Sequence, residues 1–284
     1  MQHYRCLHCG KQFQSKKREQ RKIKSLWRQY VWERRTTKQL ARIFKKSVGW
    51  VREKLDEAKI KIKKVKPQSV VIVADATYLK RGFGVCVFRS PHLKRNLYWK
   101  TCLTETNYLY AFCRYQLERR GFKIQAVVID GKSSIRKVFS DLPTQICHFH
   151  QAKIITRYLT TRPKLVASQE LKEIVQTLKN TNERDFSFCL KQWHEKWKEF
   201  LKEKTFNPET KRYFYTHKRL RSAYRSLITN LPYLFTCQKY PQLKIPNTTN
   251  SLDGSFAHFK EKLKTHRGLK LKRKLKVFTE LLSK

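Results

Sequence analysis

The sequence predicts an α/β fold in which a sheet is interrupted by a long helical segment. Two runs of mainly β-branched apolar residues, 69–75 and 124–130, have the composition of strands buried on both faces, and each ends in an aspartate. Flanking stretches change to apolar spacings of three, four and seven, the period of amphipathic helices. From about residue 151 to 239 that helical period prevails.

Composition narrows the function classes. The 284 residues carry 65 Lys and Arg against 21 Asp and Glu, a formal charge of +44. With 40% hydrophobic and 13% aromatic residues the chain can fill a core, so wholesale disorder is excluded. A surplus of this size is relieved by a polyanion that releases its own counterions, which points to nucleic acid. Apolar runs such as 70–74 fall far short of the roughly 20 residues that span a bilayer, so no membrane partner is expected. Residues 1–9 are too polar for a signal peptide, and the cytoplasm, at the nucleoid, is the expected location. Eight scattered cysteines without an export signal read as thiols or metal ligands rather than a disulfide framework.

Residues 1–15 hold Cys6-Leu7-His8-Cys9-Gly10, a knuckle in which two thiolates can grip one zinc ion while glycine permits the turn. It is one half of a zinc ribbon, either a working site completed by other ligands or a remnant. Residues 22–66 read as helical, with Leu40, Ile43, Phe44, Val48, Val51 and Leu55 on one stripe. Thr36 and Ser47 are placed to cap successive helices, which outlines a helix-turn-helix or an ordinary helical hairpin. In the first case Trp50, Arg52 and Lys54 on the second helix would face DNA.

Residues 67–150 are expected to hold a first strand ending at Asp75, strands at 84–89 and 96–102, a helix over 106–120, a strand ending at Asp130, and a fifth strand at 144–147. Two aspartate-ending strands separated by a hairpin, a strand and a helix outline the first part of an RNase H-like core, with the first and fourth strands adjacent. Residues 151–240 form an all-helical insertion whose Phe186, Leu190, Trp193, Trp197, Phe200 and Leu201 are a packing stripe. Residues 241–284 supply the last acidic helix of the core and a basic tail.

Asp75 and Asp130 at one sheet end would repel unless a hard cation lies between them, and Mg²⁺ or Mn²⁺ suits oxygen ligands. Asp253 on the late helix is the candidate third acid. Aspartates also stop strands by solvating turns or capping helices. In a chain where acids are scarce, the pairing favours a metal site.

Val127-Val128-Ile129-Asp130-Gly131, Cys147-His148-Phe149-His150, the segment 247–254 and His266-Arg267-Gly268-Leu269 together resemble the Mutator-type DDE transposases of bacterial insertion sequences, in the variant with an N-terminal zinc ribbon. The resemblance spans nearly the whole chain in order. It implies Asp75, Asp130 and Asp253 as catalytic acids that bind two Mg²⁺ or Mn²⁺ ions, with Asp253 standing where the family usually has glutamate. Glu261, two turns on, would substitute only in another helix register. Cys147 and His150 match the family's Cys-x-x-His pair and are expected to orient the insertion or the DNA, not to perform displacement. The implied reaction is metal-assisted strand cleavage at element ends, then attack of the freed 3′-hydroxyl on target DNA. The implied partners are double-stranded DNA, both terminal inverted repeats and target, contacted by Lys260, Lys264 and Arg267. Synapsis of two ends implies a homodimer or higher oligomer. A catalytically inactive, transposase-derived DNA-binding protein is the alternative reading, and a basic RNA-binding protein is a third.

Overall fold

The computed structural model describes residues 3–14, 17–62, 64–80, 82–264, 266 and 269–283. A hairpin of β1 (His3–Arg5) and β2 (Gln12–Gln14) precedes three helices, α1 (Lys17–Val31), α2 (Thr37–Phe44) and α3 (Val48–Glu57). Next come β3 (Ser69–Lys80), β4 (Phe83–Ser90), β5 (Arg95–Cys102), α4 (Asn107–Arg119), β6 (Lys123–Ile129), the short α5 (Ser133–Arg136) and β7 (Thr144–Ile146). A helical stretch holds α6 (His148–Leu159), α7 (Val166–Gln176) and α8 (Glu183–Lys202), a hairpin of β8 (Lys204–Asn207) and β9 (Arg212–Tyr215), then α9 (Lys218–Leu234) and α10 (Thr236–Lys239). Last are α11 (Asn250–Lys264) and α12 (Leu271–Leu282). The chain divides into two units, Lys66–Asp253 and Met1–Val65 with Gly254–Lys284. Residues after Asp253 thus group with the N-terminal helices.

In the larger unit the five-stranded sheet runs β5-β4-β3-β6-β7, antiparallel from β5 to β3 and parallel from β3 to β7. This mixed α/β sheet, with the first and fourth strands of the unit adjacent, is consistent with an RNase H-like core. Val70 to Ala74 and Ala126 to Ile129 are buried, as the unbroken apolar runs require. A parallel step needs a crossover, and α4 supplies it from β5 to β6. Thr106 caps α4 by accepting from the Leu109 N–H at 3.2 Å, and Leu109, Cys113 and Leu117 form its buried stripe.

One expectation is corrected by the register. Asp75 does not end its strand, because β3 continues to Lys80 along β4, with Asp75 opposite Val87. Only the parallel ladder to β6 stops earlier, at Val73 opposite Val128. The register of that ladder shifts between Val70 and Val71, where Ile124 and Ala126 are the partners and Gln125 is skipped. Continued two residues, the shifted register sets Asp75 level with Asp130.

The helical part buries Phe186, Leu190, Trp193 and Leu201 with residues of α6, α7 and α9, while Trp197 and Phe200 pack partly buried beside them. The Trp193 indole donates to Ala167 O at 2.9 Å and that of Trp197 to Glu170 at 2.7 Å. Buried Gln145 on β7 donates to Ile146 O and Leu234 O, both at 2.7 Å, and accepts from the Cys237 N–H at 2.9 Å. One side chain thereby ties the edge strand to the end of α9. The β8–β9 hairpin falls where helix was expected. Asn207 Oδ1 accepts from the N–H groups of Glu209 and Thr210, an Asx turn that Pro208 and the left-handed Lys211 complete.

In the smaller unit Thr36 and Gln39 form a capping box on α2, and Ser47 caps α3 by accepting from the Trp50 N–H at 3.1 Å. The intervening turn uses Lys45 at φ 49° in place of a glycine. Leu26, Leu40, Val51, Leu55 and Val277 share one core, which joins α12 to the first three helices. Arg273 grips Asp56 through two bonds of 2.9 and 2.7 Å and also donates to Arg52 O. No helix is long and apolar enough to cross a membrane among the described residues.

Candidate metal centre

Three side chains converge beside the central strand. Asp75, His150 and Asp253 each place a ligand atom within 4.8 Å of the others, the one such group of three among the described residues. Asp75 arrives on β3, and its Oδ1 accepts from the Ala76 N–H at 2.8 Å. His150 arrives on α6, one turn after Cys147. Cys147 continues the sheet edge by donating its N–H to Ile129 O at 2.9 Å and stands at the N-cap of α6, so a spacing of three sets thiol and imidazole side by side.

Asp253 lies in the first turn of α11, where acids complement the helix dipole. Its Oδ2 accepts from the Thr249 hydroxyl at 3.2 Å and its N–H donates to Thr249 O. Buried Thr249 is held in turn by Cys147, to whose Sγ its N–H donates at 3.3 Å. The N–H of His148 donates to Asn247 O, which lays the segment before α11 along the start of α6.

The electrostatics follow from burial and crowding. Burial pushes the Asp75 carboxyl up to about 7, and the charges of Asp253 and Glu105 add to this against the pull of His150 and the Ala76 N–H. His150 rises to about 9, first through its hydrogen bond with Cys147 and then through the thiolate and the two aspartates. Burial raises the Cys147 thiol, but the hydrogen bonds with His150 and Thr249 outweigh it, and the net shift is downward. Buried His150 Nδ1 has no hydrogen-bond partner.

Asp130 lies just past β6 on the strand beside Asp75, but outside the cluster. Its Oδ1 is turned to accept from the Lys132 N–H at 3.2 Å, and His150 occupies the third position instead. Glu261 is exposed and ion-paired with Arg34 in the smaller unit, so the register that would make it the third acid is not adopted. Sequence reasoning missed Glu105. Burial raises its carboxyl, Tyr110 donates to it at 2.6 Å, and it feels the charge of Asp130. It sits in a loop with no motif, and the nearest signal is the Thr106 cap that follows it.

The other expected residues are dispersed. Cys6 and Cys9 flank the β1–β2 turn, closed by Gly10 N–H to Cys6 O at 2.9 Å, and no third metal-ligating side chain joins them among the described residues. The Cys9 N–H, then that of His8, holds the Cys6 thiol low. On α3, Arg52 is exposed, whereas Trp50 packs partly against the core and Lys54 is half-buried and bonded to Glu57. Lys264 is exposed and Lys260 half-buried on α11, and Arg267 lies outside the described residues.

No protein-family model matches the chain, and no curated protein does. Among solved structures, the Drosophila P element transposase strand transfer complex is similar at a TM-score of 0.35 and 12% identity, over 98% of this chain and 80% of that chain. A likeness of that degree is weak, and the fold rests on the strand order described above.

Proposed function

We propose that this chain is a DDE/DDD-type transposase of the Mutator kind, a divalent-metal-dependent enzyme that cleaves DNA strands at element ends and transfers them to target DNA. The observation that carries the reading is the approach of Asp75 and Asp253, far apart in sequence, to within 4.8 Å of each other in a chain of charge +44. Half-buried carboxylates this close destabilise each other unless protonated or bridged by a cation.

The donor set fits such an ion. Two carboxylates suit Mg²⁺ or Mn²⁺. Asp75 and Asp253 would hold it, with Asp130 from the adjoining strand end once its carboxylate turns from Lys132. When bound, the ions supply Lewis acidity to the attacking and leaving oxygens of a phosphodiester. His150, carrying a proton held by Cys147 and the aspartates, is placed to stabilise phosphate oxygens or deliver that proton to the leaving oxygen. Exposed Arg52 and Lys264 would contact phosphates of double-stranded DNA, and pairing of two element ends calls for a homodimer or higher oligomer. Cys6 and Cys9 would bind Zn²⁺ only with two further ligands.

A second reading is a DNA-binding protein of transposase ancestry that no longer cuts. Asp130 outside the cluster favours it, as does an aspartate at 253 one methylene shorter than glutamate. Nicking of supercoiled plasmid in Mn²⁺ or Mg²⁺ separates the two. Cleavage by the wild type, lost in Asp75→Ala, Asp130→Ala and Asp253→Ala proteins that still bind duplex, supports the enzyme. Binding without cleavage, also on native element ends, leaves only the second reading.

A further inference from the structure

The end of α8, the β8–β9 hairpin and the first half of α9 enclose a cleft of about 1070 Å³, and none of the Asp75 cluster lines it. Five of its lining residues are cations, Lys198, Lys202, Lys218, Arg221 and Arg225, and none is acidic. Lys198 and Lys202 pair with Glu195 and Glu199 one turn earlier on the exposed face of α8. Such pairs contribute little and yield readily to a phosphate. Lys218 lies over the Phe214 ring at 4.0 Å and Arg221 over the Tyr215 ring at 3.6 Å, so these charges rest on aromatic faces.

The hairpin adds a second, independent feature. Its register pairs Lys204 with Tyr215 and Phe206 with Tyr213, and alternate residues of a strand share a face. Tyr215 lines the cleft, so Phe206 and Tyr213 belong to the hairpin face that continues it. Their rings lie 5.1 Å apart and are 47% and 70% exposed. A water-facing pair of large rings beside a cationic cleft has the chemistry of a stacking platform next to a phosphate track.

We infer that this cleft and hairpin form a binding site for unpaired nucleotides of a nucleic-acid strand, with phosphates held by Lys218 and Arg225 and bases stacked on Phe206 and Tyr213. The site goes beyond the metal centre and does not depend on cleavage. It gives the helical segment a role that a purely structural insertion lacks.

The test is fluorescence anisotropy of the full chain with a labelled oligothymidylate and, separately, a duplex of equal length, over a salt series. Phe206→Ala/Tyr213→Ala, which removes only exposed rings, is expected to weaken single-strand binding about 10-fold or more and leave duplex binding unchanged. Lys218→Glu/Arg225→Glu is expected to weaken single-strand binding at least about 10-fold and to flatten its salt dependence. Lys123→Glu/Arg184→Glu, the same charge change at exposed positions elsewhere in this unit, sets the baseline for lost net charge. Single-strand affinity unmoved by the ring variant, an equal loss for duplex, or a cleft variant no weaker than the baseline pair would each overturn the site. Cleavage of plasmid by the ring variant reports separately on the metal centre, so the two readings fail independently.

Discussion

Thr249 is held by Cys147 through two atoms, its N–H donating to Sγ at 3.3 Å and its Oγ1 lying 3.4 Å from the same sulfur. The Thr249 hydroxyl donates to Asp253, so a cysteine at the end of the sheet fixes an aspartate at the start of a helix through one intermediary. Cys147→Ala strands the buried Thr249 N–H and is expected to cost about 1–3 kcal/mol of stability and to weaken Mn²⁺ binding. Cys147→Ser restores most of both. Denaturant titration and calorimetric Mn²⁺ titration check this, and Mn²⁺ affinity unaltered in Cys147→Ala would dismiss the tether.

Without metal, stability should fall as pH rises. Asp75 has a folded value of about 7 against an ordinary 3.8, so its contribution is complete below about pH 4 and lost as pH climbs through 7, on the order of 4 kcal/mol. His150, at about 9 against 6.5, acts in the same direction, with its contribution complete below about pH 6.5 and lost through 9. Melting temperatures in chelator should therefore decline steadily from about pH 5 to 9. Saturating Mn²⁺ should flatten the upper part of that decline in the wild type and not in Asp253→Ala. A level profile in chelator contradicts the burial argument.

Gly84 stands opposite Tyr78 in the β3–β4 ladder, where a methyl group would lie 2.8 Å from the Tyr78 ring and 2.9 Å from Thr77 O. The backbone oxygen cannot swing aside, so Gly84→Ala should part the two strands locally and cost about 1–3 kcal/mol. Hydrogen exchange should quicken at the β3–β4 amides near Tyr78 while the β6–β7 amides hold their protection.

Arg273 keeps only 8% of its side chain exposed, and Asp56 is its carboxylate partner. Asp56→Ala leaves a buried guanidinium with no carboxylate partner, still bonded to Arg52 O and Tyr30, and about 2–4 kcal/mol should be lost from the smaller unit. The open half of Asp56 argues for the lower part of that range. Backbone exchange in α3 and α12 reads the loss, and unchanged exchange there would show that the pair is ornamental.

Strands were legible where burial on both faces left unbroken β-branched runs, as at Val70 to Val73 and Ala126 to Ile129. The α4 crossover was legible because Thr106 announces its start. The β8–β9 hairpin was not, because its strands span only four residues a side and are embedded in strong helical patterns. Asp75 and Asp253 were readable as acids at marked positions, and the spacing of Cys147 and His150 as a pair. That His150 joins the acids while Asp130 turns to Lys132 depends on side-chain hydrogen bonds that no spacing encodes.

Synthesis runs from the N-terminus, and this fixes when the cluster of Asp75, His150 and Asp253 comes into being. The sheet and most of the helical segment leave the ribosome before Asp253 does. During that interval Asp75 has His150 and Glu105 for company, and an uncharged carboxyl at that place is tolerable at neutral pH. The charge of Asp253 is added when Thr249 settles against Cys147 and α11 starts to wind. A growing chain thus carries its sheet early and completes the Asp75, His150 and Asp253 cluster last.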